Sequence, residues 1–197
     1  MRHKAVLGLM LLLGACGPLR LSDLSASLPD LRPTMGWDAR PEAASWTMST
    51  LVAVAAEDSR LAARVPADIA TFCPAYPTAA LPHRRAFWSG VLSAVARYES
   101  SWNPAASGGG GRYIGLMQIS PRTASQHGCG ATSAGALKDG SANLECAVRI
   151  MAEAVESDGV VAGGGSRGVG RDWMPLRNGA KRQAIADWTR MQGYCTP

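Results

Sequence analysis

Glu99 stands in the segment Tyr98-Glu99-Ser100-Ser101-Trp102-Asn103-Pro104, where an apolar helical pattern runs into a glycine-rich stretch. Val91 and Val95 lie eight and four residues before it, so its side chain shares a helix line with core positions. A carboxyl against such a wall is desolvated, its pKa rises, and it keeps a proton near neutral pH as a general acid must. The bland alternative is a helix-end glutamate tipping into solvent. No Asp or Glu occurs between Glu99 and Asp139. Unless Asp139, Glu145 or Glu153 folds back towards it, chemistry here has one carboxylate to give a proton and later withdraw one.

The neighbours form an ordered set: Glu99-Ser100, Trp102-Asn103-Pro104, Ser107, Gly115-Leu116-Met117-Gln118, then Pro121 with Thr123-Ala124, and further on Asn143-Leu144. Across about residues 85–155 this set resembles the lytic transglycosylases of the soluble-transglycosylase (SLT) type, which are related to goose-type lysozymes. The resemblance implies a mainly α, lysozyme-like domain with a substrate groove crossing the end of the Glu99 helix. It also implies a carbon–oxygen lyase that cuts peptidoglycan between N-acetylmuramic acid and N-acetylglucosamine, with no cofactor and no metal. Glu99 would protonate the glycosidic oxygen, then take the proton of the muramic C6 hydroxyl as that oxygen closes on C1 to give a 1,6-anhydro end. Inverting glycosidases need a second carboxylate to activate water, and retaining ones usually need one as nucleophile. A hydroxyl of the same sugar arrives already positioned, so one residue can serve twice. By the same resemblance Ser100, Ser107, Met117 and Gln118 are candidates for the substrate side, and Tyr113 is a further candidate because it stands next to the glycine loop. Ser100 could instead help end the helix, Met117 could be core, and Trp102 suits a buried anchor better than a sugar platform.

The chain departs from the family pattern at two places. Ser120 stands where a methionine is frequent, and the later Ala-Tyr-Asn-Ala-Gly motif is absent from "VVAGGGSRGVGRDWMPLRNG", where Trp173, Leu176 and Arg177 offer only a loose aromatic-plus-arginine pattern. Two other readings therefore stand beside the transglycosylase: a muramidase that lets water attack, and a non-catalytic peptidoglycan-binding lipoprotein that keeps the scaffold.

The elements that must position these residues are helical. Periodicity predicts helices over about 43–64, 84–100, 142–157 and 179–192, with a further one opened by Ser120-Pro121 and stopped by Gly128. Phe87, Val91, Val95 and Tyr98 form one stripe, and Leu144, Val148, Met151 and Val155 another. No alternating strand pattern of useful length occurs, so the domain is expected to be mainly α. Gly108 to Gly111 must be loop; with no Gly-Lys-Ser/Thr after it and no strand before it, it does not read as a phosphate cradle.

The first residues read as an export signal: basic "MRHK", the nine-residue apolar run "AVLGLMLLL", then Leu13-Gly14-Ala15-Cys16, which resembles a lipobox. Residues 1–15 are expected to be removed and Cys16 acylated, anchoring the protein to a membrane, with the periplasmic face of the outer membrane favoured because Gly17 rather than an acidic residue follows. Residues 16–41, rich in Pro, Ser and Asp, read as a tether, and 42–197 as the catalytic domain. About 25 flexible residues would reach on the order of 25–30 Å. Without the signal the net charge falls from +5 to +3, mildly basic and without a Lys/Arg tract, which fits an anionic polymer and disfavours nucleic acid. A lipidated Cys16 leaves Cys73, Cys129, Cys146 and Cys195, four cysteines for two disulfides in an oxidising compartment. Cys129–Cys146 with Cys73–Cys195 is the favoured pairing, because the first closes a short loop between two predicted helices. His127 beside Cys129 completes no Cys/His quartet at zinc spacing.

Overall fold

A computed structural model describes residues 32–196. The signal (1–15), the acylation site Cys16 and most of the expected tether lie outside the described residues. Helix α1 (Ala43–Ala56) buries Ala43, Trp46, Thr47, Thr50 and Val54, a stripe at helical spacing. It stops eight residues short of the Arg64 expected from sequence. Asp58, just past its end, reaches the Arg85 guanidinium, with Nε to Oδ1 at 3.0 Å, and the chain turns there instead of continuing. The short α2 (Ile69–Phe72) follows.

The long α3 (Leu81–Ser100) begins with Pro82 in its first turn, where a missing N–H costs nothing. The sequence suggests a single apolar stripe on this helix, but every residue from Ala86 to Ala96 is buried. Helix α3 is thus a central helix, wrapped on several sides, with small Ser89, Gly90, Ser93 and Ala94 on the faces that carry no large side chain. Helices α1, α5, α6 and α7 all pack against it. After it come the two-residue strands β1 (Ser107–Gly108) and β2 (Tyr113–Ile114), an antiparallel pair with Ser107 opposite Ile114 and Gly108 opposite Tyr113.

Helix α4 (Pro121–Gln126) is capped by Ser120, whose hydroxyl accepts the Thr123 N–H at 3.0 Å. Helix α5 (Gly140–Asp158) is capped by Asp139 and closed by Gly159 in a left-handed conformation. Beyond it lie α6 (Met174–Arg177) and α7 (Gly179–Arg190), the latter capped by Asn178. The Asp68 carboxylate holds the intervening loop by accepting the N–H groups of Val161, Ala162 and Gly163 at 2.6–3.0 Å.

The compact unit starts at Arg32, so the boundary placed at residue 42 moves ten residues earlier. Met35 and Trp37 are the reason: both are buried, and the Trp37 indole donates to the Thr47 hydroxyl at 2.9 Å. The disulfides are Cys73–Cys195 and Cys129–Cys146, with Cα atoms 4.7 and 5.2 Å apart. Among the described residues no helix is long and apolar enough to cross a membrane.

Candidate active site

Glu99 is the penultimate residue of α3, where the helix leaves the core. Immediately after, Ser101 and Trp102 both adopt left-handed backbone (φ 52° and 58°), and Gln118 does the same (φ 49°). They are the three non-glycine residues in that region among the described residues. Such a conformation costs on the order of 1–3 kcal/mol per residue and persists only where the surroundings enforce it. Here the enforcing contacts are visible. The Trp102 indole donates back to the Ser93 carbonyl at 2.9 Å, which makes Trp102 an anchor of the turn. The Ser100 hydroxyl donates to the Leu116 carbonyl at 2.9 Å and so ties the end of α3 to the Gly115–Gln118 turn.

That turn is clamped from below by Asn143. Its side chain is fully buried; Oδ1 accepts the Met117 N–H at 2.9 Å, and Nδ2 donates to the Ile114 and Leu137 carbonyls, each at 3.0 Å. Gly115 (φ 79°) lies so close that a Cβ there would strike the Leu137 carbonyl and the Asn143 amide, so glycine is required. From the other side the Trp173 indole donates to the Met117 carbonyl at 3.0 Å. Gln118 donates from Nε2 to the Gly115 carbonyl at 2.9 Å and lies against Gly108 of the hairpin. Ser107 and Tyr113, on the two strands of that hairpin, are exposed. The helix end, the hairpin and the turn thus form one connected unit holding Glu99, Ser100, Ser107, Tyr113 and Gln118.

Met117 does not belong with them. Its side chain is fully buried and both of its backbone groups are engaged, so the expected contact with substrate is replaced by a core role. Ser100 likewise spends its hydroxyl on the Leu116 and Ala96 carbonyls. The four disulfide cysteines lie outside this unit: one bridge joins the segment after α2 to the C-terminus, the other joins the segment after α4 to α5.

The Glu99 side chain is partly buried and makes no hydrogen bond to another described residue. Burial pushes its pKa above the ordinary glutamate range, and the charge of Lys181 draws it part of the way back. Lys181 is placed by the Asn178 cap in the first turn of α7, with Nζ 5.4 Å from the centre of the Tyr98 ring. No carboxylate figures among the groups that shift Glu99. Among the described residues no cluster of three or more His, Cys, Asp or Glu side chains could hold a metal ion. What the arrangement can do chemically is deliver a proton from a desolvated carboxyl and recover one.

Residues 79–161 match the family model of the Transglycosylase SLT domain. The SLT match runs from just before α3 through α5 and so contains the whole Glu99 unit. Among solved structures, a mutant of Bd0314 DslA superposes with a TM-score of 0.76 at 29% identity, covering 84% of this chain and 99% of that one. The wild-type Bd0314 DslA superposes with a TM-score of 0.75 at 28% identity over the same shares. No curated relative matches the chain. The fold is that of a mainly α, lysozyme-like SLT domain.

Three residues that brace or act on the unit escape a reading of sequence alone. Asn143 can be matched to a family position, yet its role as a buried clamp on the Met117 turn is visible only in space. Trp173 gives no sign that its indole reaches back 56 residues to Met117. Lys181 follows an Asn-Gly helix start, which predicts a cap but says nothing about Glu99.

Proposed function

We propose that the protein is a peptidoglycan lytic transglycosylase in which Glu99 is the single acid and base. The observation that carries this reading is the lone, desolvated Glu99 carboxyl, with a lysine and no second carboxylate acting on it. The protonated carboxyl gives its proton to the oxygen between N-acetylmuramic acid and N-acetylglucosamine as the C1–O bond breaks. The carboxylate so formed takes the proton of the C6 hydroxyl while that oxygen bonds to C1. Glu99 ends as it began, protonated, and no water is consumed. The left-handed turn after α3, the Ser100 tie and the Asn143 clamp hold the helix end that carries Glu99 beside the Gly115–Gln118 turn, which favours a defined position for its proton. Gln118 and the exposed Ser107 and Tyr113 of the hairpin supply polar and aromatic contacts to the strand. Acylation at Cys16 and a tether to the outer membrane complete the proposal, placing the enzyme within reach of the cell wall.

Turnover of purified peptidoglycan, with mass spectrometry of the products, tests it. Wild type should release 1,6-anhydro ends, and Glu99→Gln should be slower on the order of a thousandfold. Reducing ends would make the protein a hydrolytic muramidase, and equal inertness of both proteins would leave a binding lipoprotein.

A further inference from the structure

Helices α3 and α7 leave between them, one residue along from Glu99, a cavity of about 70 Å³ walled by Tyr98, Trp102, Ile185 and Trp188 and edged by Arg97. Its three aromatic walls are partly buried, so their faces are held in place while remaining reachable. Its size excludes a sugar ring: an apolar cavity of about 150 Å³ is what accommodates benzene. A short side chain fits, a pyranose does not.

The rim is cationic. The Arg97 guanidinium lies 5.9 Å from the centre of the Tyr98 ring, and the Lys181 ammonium lies 5.4 Å from the same centre. Arg60, Arg64, Arg85 and Arg171 each meet a carboxylate within salt-bridge distance. Arg97 and Lys181, like several other described cations, meet no carboxylate at that distance; what sets them apart is that both lie beside the Tyr98 ring, and the field of Lys181 extends to Glu99. Two cations beside one tyrosine, over a small aromatic pocket, suit a ligand with a short apolar group and a carboxylate nearby.

We infer that this pocket receives the peptide stem of the glycan strand, a small stem side chain entering between Tyr98, Trp102 and Trp188 and a stem carboxylate meeting Arg97 and Lys181. The inference rests on the reading of the substrate as peptidoglycan. A peptidoglycan strand offers a protein only sugar rings and peptide arms, and the pocket is too small and too positively edged for the former. The arm is carried by the muramic sugar, the residue on which Glu99 would act, and Lys181, whose charge acts on Glu99, lies 5.4 Å from the centre of the Tyr98 ring that walls the pocket. The arm of the reacting sugar therefore reaches the pocket without a second binding event.

The test uses soluble, uncross-linked peptidoglycan strands, with stems intact or removed by an amidase, titrated calorimetrically into the full-length Glu99→Gln protein. Intact strands should bind about tenfold more tightly than stripped ones. Arg97→Gln in the same background should abolish most of that difference while leaving the affinity for stripped strands unchanged, and Arg97→Lys should keep it. Equal binding of the two strands, or a difference that survives Arg97→Gln, overturns the inference. Turnover by the wild type is measured separately on both strands. Absence of turnover on both would sink the proposed activity, whereas the binding comparison judges the pocket without relying on catalysis.

Discussion

In an unfolded chain the Glu99 carboxyl ionises in the usual glutamate range. In the folded chain it holds its proton to higher pH, because burial penalises the charged form more than Lys181 favours it. The folded state then binds this proton more tightly than the unfolded state. By linkage, the stability it contributes is fully present below the unfolded pKa and is lost as pH rises through the raised folded pKa. Glu99→Gln removes that loss. Its Tm should exceed that of wild type at pH 7, and the gap should narrow as pH falls to 4, as scanning calorimetry at the two pH values will show. A gap of equal size at both pH values would mean that desolvation of the carboxyl is not its origin. If Glu99 is the acid and base proposed above, a group that destabilises the fold it occupies is the usual exchange of stability for function. Half of this was legible in the sequence: Val91 and Val95 on the same helix line announce the apolar wall. Lys181 was not, because its approach depends on how α7 packs against α3, and no local pattern encodes that.

At the scale of elements, the reading from sequence is most faithful where a helix carries its own punctuation. Ser120-Pro121 opens α4 and Asn178-Gly179 opens α7 at the places expected, since a capping side chain and the residue after it are local features. It fails at the end of α1, where a contact from Asp58 to Arg85, 27 residues away, turns the chain. It also misses the two-residue strands, too short for any alternation to register. The Gly115–Gln118 turn depends in the same way on partners distant in sequence. Asn143 supplies three of its hydrogen bonds from α5, to Met117, Ile114 and Leu137. Asn143→Ala would strand the Met117 N–H and the Leu137 carbonyl in a fully buried place, while the Ile114 carbonyl keeps the Ile119 N–H, and would leave a void beside them. With an unsatisfied buried group costing about 1–3 kcal/mol, the variant should lose about 3–5 kcal/mol in urea denaturation. Its turnover of peptidoglycan should fall as well, because Ser100 then ties the end of α3 to a turn that no longer holds its shape. Full activity in a variant destabilised to that degree would separate the clamp from the chemistry.

Across the whole molecule, two covalent links fix the order in which parts of the chain can come apart. The favoured cysteine pairing from sequence is the one present, because spacing alone made Cys129–Cys146 a short loop and left Cys73 and Cys195 to each other. Residues 32–41 look like tether by composition, while Met35 and Trp37 bury themselves against the domain, a contact that no local pattern encodes. Near the other end, Tyr194 donates its hydroxyl to the Thr34 carbonyl at 3.4 Å, and burial raises its pKa above the ordinary tyrosine range. The first and last described segments thus meet beside α3, close to where Cys195 joins Cys73. This bridge spans 122 residues of sequence and the other spans 17. Loop-closure entropy grows with the logarithm of the loop, so the chain-entropy account assigns about 5 kcal/mol to the long bridge and about 3 kcal/mol to the short one. The paired variant Cys73→Ala, Cys195→Ala should therefore unfold in less urea than Cys129→Ala, Cys146→Ala, by a difference of about 2 kcal/mol. The reverse order would show that the short bridge acts through the native state, by bracing α5, whose Asn143 holds the turn next to Glu99, rather than by restricting the unfolded chain.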